Sequence, residues 1–138
     1  MSNLAEKAVA YYSQTHNLNC AEATISAANQ IYNLDLHKDT LRTMAAFGGG
    51  MGVGSVCGAL TGALAVLGVM FVEDKAHESS ETKEMASEFF NRFVEKLTTE
   101  NCTKLKEMYR DDLTKCDLVV RYSNEILEEM INKRIQKE

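Results

Sequence analysis

The residues best suited to chemistry in this 138-residue chain are its four cysteines, Cys20, Cys57, Cys102 and Cys116. They are separated by 36, 44 and 13 residues. No C-x-x-C pair occurs, so the local spacings of zinc fingers, ferredoxins and c-type haem attachment are missing. Any shared site must be assembled by the fold. The immediate neighbours carry more information. Cys20 follows Asn19 and Cys102 follows Asn101, each at the expected first position of a helix. Cys57 lies two residues after Ser55. Cys116 lies two after Thr114, and Asp117 completes a Thr-x-x-Asp capping box. All four cysteines are thus expected in the first turn of a helix, directly after a good N-cap residue.

That placement has a chemical consequence. A helix N-terminus presents unpaired N–H groups and roughly half a positive charge. Both favour a thiolate over a thiol, so each cysteine is expected to have a lowered pKa. Thiolates bind metals and attack disulfides. In one reading, Cys20, Cys57, Cys102 and Cys116 converge as metal ligands. They would hold an iron–sulfur cluster of the 2Fe–2S or 4Fe–4S type, or a zinc or iron ion, for electron transfer. In a second, Cys57 is the reactive catalytic thiol of a thiol–disulfide redox protein. In a third, the cysteines are structural in a non-enzymatic helical module, an adaptor or a homo-oligomer. The first two imply an electron or thiol partner.

The surroundings of Cys57 are unusual. All eight glycines of the chain lie between Gly48 and Gly68, in "FGGGMGVGSVCGALTGALAVLG". Gly54, Gly58 and Gly62 recur every fourth residue, so they are expected to share one face of a central helix capped by Ser55. A mid-helix glycine costs about 1 kcal/mol relative to alanine, so a compensating gain is required. Close packing of another helix is one such gain. Room for a cofactor or substrate beside Cys57 is the other, which makes Gly54, Gly58 and Gly62 candidate cofactor-binding residues. The preceding run, Gly48 to Gly54, fits neither dinucleotide nor P-loop spacing and follows no strand. It reads as a flexible loop beside a reactive thiol.

The elements that must position these residues read as helices throughout. Good helix formers dominate outside the glycine cluster, and proline is absent. Expected helices run from Ser2 to about His16, from Asn19 through "NCAEATISAANQIYN", from Asp39, along the central apolar segment, from Ser79 or Ser80, from Asn101 and from Thr114. Met85, Phe89, Phe93 and Leu97, with Phe90 and Val94, form one apolar stripe. Val119, Tyr122, Ile126, Met130, Leu127 and Ile131 form another. The expected fold is all-α: a compact bundle of about five to seven helices around a central apolar Gly/Ala-rich helix, as a single domain over 1–138.

Charge excludes some partners. The net charge is −5, with no basic block, which argues against nucleic acid. Residues 1–72 hold seven charged side chains and residues 73–138 hold twenty-eight, so the first half is expected to be the more buried. Val56 to Val72 is uncharged but short and rich in Gly and Ala, so no membrane span is expected. The opening "MSNLAEKAVAYY" has no apolar stretch of signal-peptide type, which makes a reducing, cytoplasmic setting the expectation. His16, His37 and His77 are isolated; His16, four residues before Cys20, is the one candidate base or alternative ligand among them.

"CGALTG", Cys57 to Gly62, matches the CGAxxG motif of the C_GCAxxG_C_C family. One earlier cysteine and two later ones, in a chain near 140 residues, complete that pattern with Cys20, Cys102 and Cys116. The chain resembles that family over nearly its whole length, with Val56 where the family's name has a glycine. The resemblance implies redox activity that uses all four cysteines, and it supplies no substrate.

Overall fold

The computed structural model describes residues 2–137. It contains seven α-helices: α1 (Asn3–Tyr12), α2 (Cys20–Ile31), α3 (Lys38–Arg42), α4 (Gly58–Phe71), α5 (Thr82–Leu97), α6 (Cys102–Tyr109) and α7 (Asp117–Lys137). Among the described residues there is no strand, only two isolated bridges, Val56 with Asn101 and Asp111 with Lys115. The all-α expectation therefore holds. No helix among the described residues is long and apolar enough to cross a membrane.

The helices share one apolar core, centred on α4. Helix α4 packs against α2, α5 and α7, while α1 closes the bundle against α2 and α7. Ala59, Leu60, Ala63, Val66 and Leu67 of α4 are buried on several sides, as expected of a helix apolar all round. Helix α5 contributes Met85, Phe89, Phe93 and Leu97 at i, i+4 spacing, all buried. Phe90 falls outside the expected stripe and is exposed, because it points a quarter-turn away from Phe89. Helix α7 buries Val119, Ile126, Leu127, Met130 and Ile131, with Tyr122 only packed against the edge. Its buried face also carries Ser123 and Asn124. The Asn124 amide donates to Thr24 Oγ1 at 3.3 Å and to the Val120 carbonyl at 2.9 Å, joining α7 to α2.

The helix starts decide where the cysteines lie. Asn19 caps α2 in a full capping box: its side chain accepts from the Glu22 amide at 2.8 Å, and Glu22 accepts from the Asn19 amide at 3.0 Å. Asn101 caps α6 by accepting from the Lys104 amide at 3.0 Å. Cys20 and Cys102 are therefore first helical residues, as expected. The other two starts are displaced. Helix α4 begins at Gly58, so Cys57 itself is the N-cap and Ser55 lies outside. Helix α7 begins at Asp117, leaving Cys116 just before it. The Thr114 hydroxyl donates to Asp111 at 2.7 Å instead of capping α7. Helix α1 stops at Tyr12 rather than near His16, and α3 is capped by His37 rather than opened by Asp39. Helix α5 starts at Thr82, beyond the expected Ser79 or Ser80.

The glycine stripe also needs correction. Gly54 is not on the central helix; it ends a separate turn, Gly50–Gly54, ahead of α4. That turn is tied down, not loose. The Ser55 amide donates to the Gly50 carbonyl at 2.9 Å, and the Thr103 hydroxyl donates to the Gly54 carbonyl at 3.2 Å.

Candidate functional site: a four-cysteine cavity

The four cysteines, distant in sequence, line one cavity of about 190 Å³. Tyr12, Lys106 and Arg110 complete much of its wall. Cys57, Cys102 and Cys116 are buried and Cys20 is half-buried. All are free thiols.

Local pairing brings Cys57 and Cys102 together. The segments before α4 and α6 run antiparallel for one bridge, Val56 with Asn101. The Cys57 amide donates to the Glu100 carbonyl at 2.9 Å, and the Cys102 amide donates to the Ser55 carbonyl at 2.6 Å. Gly50 closes over this joint with a φ of +62°. A Cβ at Gly50 would lie 2.6 Å from the Cys102 Cβ and 2.5 Å from the Ser55 nitrogen. Only glycine meets both the backbone angle and the space. Cys116 is fixed from α1, where the Tyr12 hydroxyl accepts its amide at 3.1 Å.

Cys20 and Cys57 are brought together by helix packing. Gly62 of α4 lies against α2, where a Cβ would sit 2.9 Å from the Ala21 carbonyl oxygen and 3.2 Å from the Thr24 Cβ. Gly58 repeats the contact one turn earlier, with the Ala21 nitrogen at 3.2 Å and the Cys20 Cβ at 3.4 Å. The Gly58–Gly62 face is therefore occupied by α2, and its close approach presses Cys20 toward Cys57. Of the three candidate cofactor-binding glycines, Gly58 lines the cavity, Gly62 faces α2 and Gly54 faces Thr103.

The family model described as "Putative redox-active protein (C_GCAxxG_C_C)" matches residues 18–130. The chain belongs to that family. No curated protein and no solved structure matches it. The Cys57–Gly62 motif and its three outlying cysteines have a direct physical reading here. Cys57 is an N-cap, Gly58 and Gly62 admit α2, and the outer cysteines come from the starts of α2, α6 and α7.

The thiols are not equivalent. Of the four, Cys57 alone is shifted down, first because of the neighbouring Cys20 thiol. Burial opposes the shift, while the Ala59 and Leu60 amides and the Lys106 ammonium support it. Cys57 makes no short capping bond of its own; the amides act by facing the sulfur at the positive end of α4. Cys20 is pushed well up, first by the neighbouring Cys57 and then by desolvation. Cys102 and Cys116 are pushed up mainly by burial. The expectation of four lowered values therefore holds for one cysteine. The neighbouring Cys57 at Cys20, and burial at Cys102 and Cys116, outweigh the helix dipoles at the other three.

Among the described residues, no three His, Cys, Asp or Glu side chains are arranged to hold a single metal ion. His16 stands outside the cavity wall. It packs edge-on to Tyr11 at 5.0 Å, and its Nδ1 lies 3.2 Å from the Ala10 carbonyl. The sequence reasoning missed Tyr12, Lys106 and Arg110. The i, i+4, i+8 spacing of Cys102, Lys106 and Arg110, running from the start of α6 to the residue that ends it, was the available signal for the two cations.

Proposed function

We propose that this protein is a thiol–disulfide redox protein in which Cys57 is the attacking thiolate and Cys20 the resolving thiol. The observation that carries this reading is the close packing of α2 on the start of α4: a Cβ on Gly58, the residue after Cys57, would lie 3.4 Å from the Cys20 Cβ, and both cysteines line the same cavity. It sets thiols from two different helix starts side by side. The Cys57 thiol is shifted down and the Cys20 thiol up, which suits the first for attack and the second for resolution. The Cys57 thiolate attacks one sulfur of a partner disulfide, forming a mixed disulfide and releasing a partner thiolate. Cys20 then attacks the Cys57 sulfur, and its proton passes to the departing thiol. Two electrons move from the protein dithiol to the partner disulfide, and a Cys20–Cys57 disulfide remains.

The test is peptide mapping after mild oxidation of the reduced protein. The expected major product is the Cys20–Cys57 disulfide. Cys20→Ser should trap a mixed disulfide on Cys57, and Cys57→Ser should stop exchange. A disulfide that forms only between Cys102 and Cys116, or rapid exchange by the Cys57→Ser variant, overturns the assignment.

A second reading is favoured by one specific feature, the convergence of all four sulfurs on one cavity. In that reading Cys20, Cys57, Cys102 and Cys116 hold an iron–sulfur cluster, which supplies one-electron transfer. A single zinc or iron ion suits the side chains less well, since no three donors meet around one point. Anaerobic purification with metal analysis and an absorption spectrum separates this reading from thiol exchange. Iron and sulfide bound in stoichiometric amounts, lost in each cysteine variant, would establish the cluster.

A further inference from the structure

The cavity carries a charge pattern that thiol exchange does not require. The chain as a whole is acidic, with twenty Asp and Glu against fifteen Lys and Arg. The cavity wall reverses this: it includes Lys106 and Arg110 and no carboxylate. Lys106 lies one turn along α6 from Cys102, and Arg110 is the residue that ends the helix. Both are exposed, and neither takes part in the ion pairs made among the described residues. Two cations therefore line a cavity that has no carboxylate, which leaves positive charge for a ligand.

Access sets the size of that ligand. Cys57 is only 4% exposed, so a disulfide on a folded protein surface cannot bring its sulfur within bonding distance. The cavity of about 190 Å³ has the volume of about six waters, enough for one half of a small disulfide. We infer that the cavity selects small disulfides bearing carboxylates, with Lys106 and Arg110 receiving the negative groups while one sulfur of the ligand faces Cys57. The inference rests on the thiol-exchange reading and adds the substrate class. The reaction is the one already balanced above. The ligand disulfide is reduced to one thiol and one thiolate, and Cys20 and Cys57 are oxidised to a disulfide.

The experiment uses three disulfides of similar size and different charge: dithiodiglycolate, bis(2-hydroxyethyl) disulfide and cystamine. The reduced protein is mixed with each, and each rate is divided by the rate of mercaptoethanol with the same disulfide. Normalised rates should fall in the order anionic, neutral, cationic, by about tenfold per step, the low end of electrostatic focusing in a charged cleft. The double variant Lys106→Gln and Arg110→Gln should compress this order to within about twofold. Ratios between disulfides cancel any change in the thiolate population of Cys57, and helix content by circular dichroism checks the fold. Equal normalised rates for all three disulfides, or an order that survives the double variant, overturn the charge selection and leave thiol exchange standing. Failure to reduce any of the three overturns both.

Discussion

Replacing Gly62 by alanine tests the contact that brings α2 onto α4. In an open helix this change is favourable by about 1 kcal/mol. Here the new Cβ would lie 2.9 Å from the Ala21 oxygen, 3.0 Å from its Cα and 3.2 Å from the Thr24 Cβ. Two of these atoms are backbone, so no side-chain rotation relieves them. Helix α2 must retreat by a few tenths of an ångström, and such overpacking costs about 1–3 kcal/mol. The expected net loss is about 1 kcal/mol, or about 3–4 °C in Tm for a chain of this size. Gly68→Ala is the matched control in the same helix. A Cβ there meets nothing within 4 Å, so it should gain about 1 kcal/mol. Urea unfolding of both variants should therefore separate them by about 2 kcal/mol. Because Cys20 precedes Ala21, the retreat in Gly62→Ala should also slow formation of the Cys20–Cys57 disulfide. If Gly62→Ala proves as stable as Gly68→Ala, the close approach does not hold these helices and the reasoning fails.

Other expectations follow from the site. Iodoacetamide labelling read by mass spectrometry should modify Cys57 at a lower pH than the other three cysteines, since only its pKa is shifted down; first labelling at Cys102 would contradict the charge assignment. Stability should fall as pH rises above about 8.5. There the unfolded chain loses thiol protons that folded Cys20, Cys102 and Cys116 retain, because their values are raised. Cys57 works the other way, with stability present above the unfolded value and lost as pH falls through its lower folded one; because Cys57 is also among the causes that raise the other three, Cys57→Ser should make the alkaline fall shallower. Tyr12→Phe removes the acceptor of the Cys116 amide and should cost about 1–2 kcal/mol in urea unfolding. Asn101→Ala removes the α6 cap and should cost about 1 kcal/mol, with faster labelling of Cys102.

The all-α architecture was legible because its signals are local. Helix propensity, the absence of proline and the Met85–Phe89–Phe93–Leu97 spacing each act within a few residues. Asn19 and Asn101 were readable as caps for the same reason. The two misplaced starts that carry cysteines show the limit. Ser55 and Thr114 are good caps by type, but each is engaged elsewhere: the Ser55 carbonyl receives the Cys102 amide across the fold, and the Thr114 hydroxyl turns back to Asp111 in a local turn. Phe90 lay beside a true apolar stripe, and only packing shows that it faces outward.

The sequence by itself determined that four thiols sit at or beside helix starts and that one helix is smooth enough for close contact. It did so because capping and glycine geometry are short-range. Only the tertiary structure decided that the four starts meet at one cavity, since 36 to 44 residues separate the first three cysteines. It alone decided which thiol is shifted toward the anion. A helix dipole is written in the sequence, but desolvation and the neighbouring thiols depend on what the fold brings near, and here they outweigh the dipole at three cysteines of four.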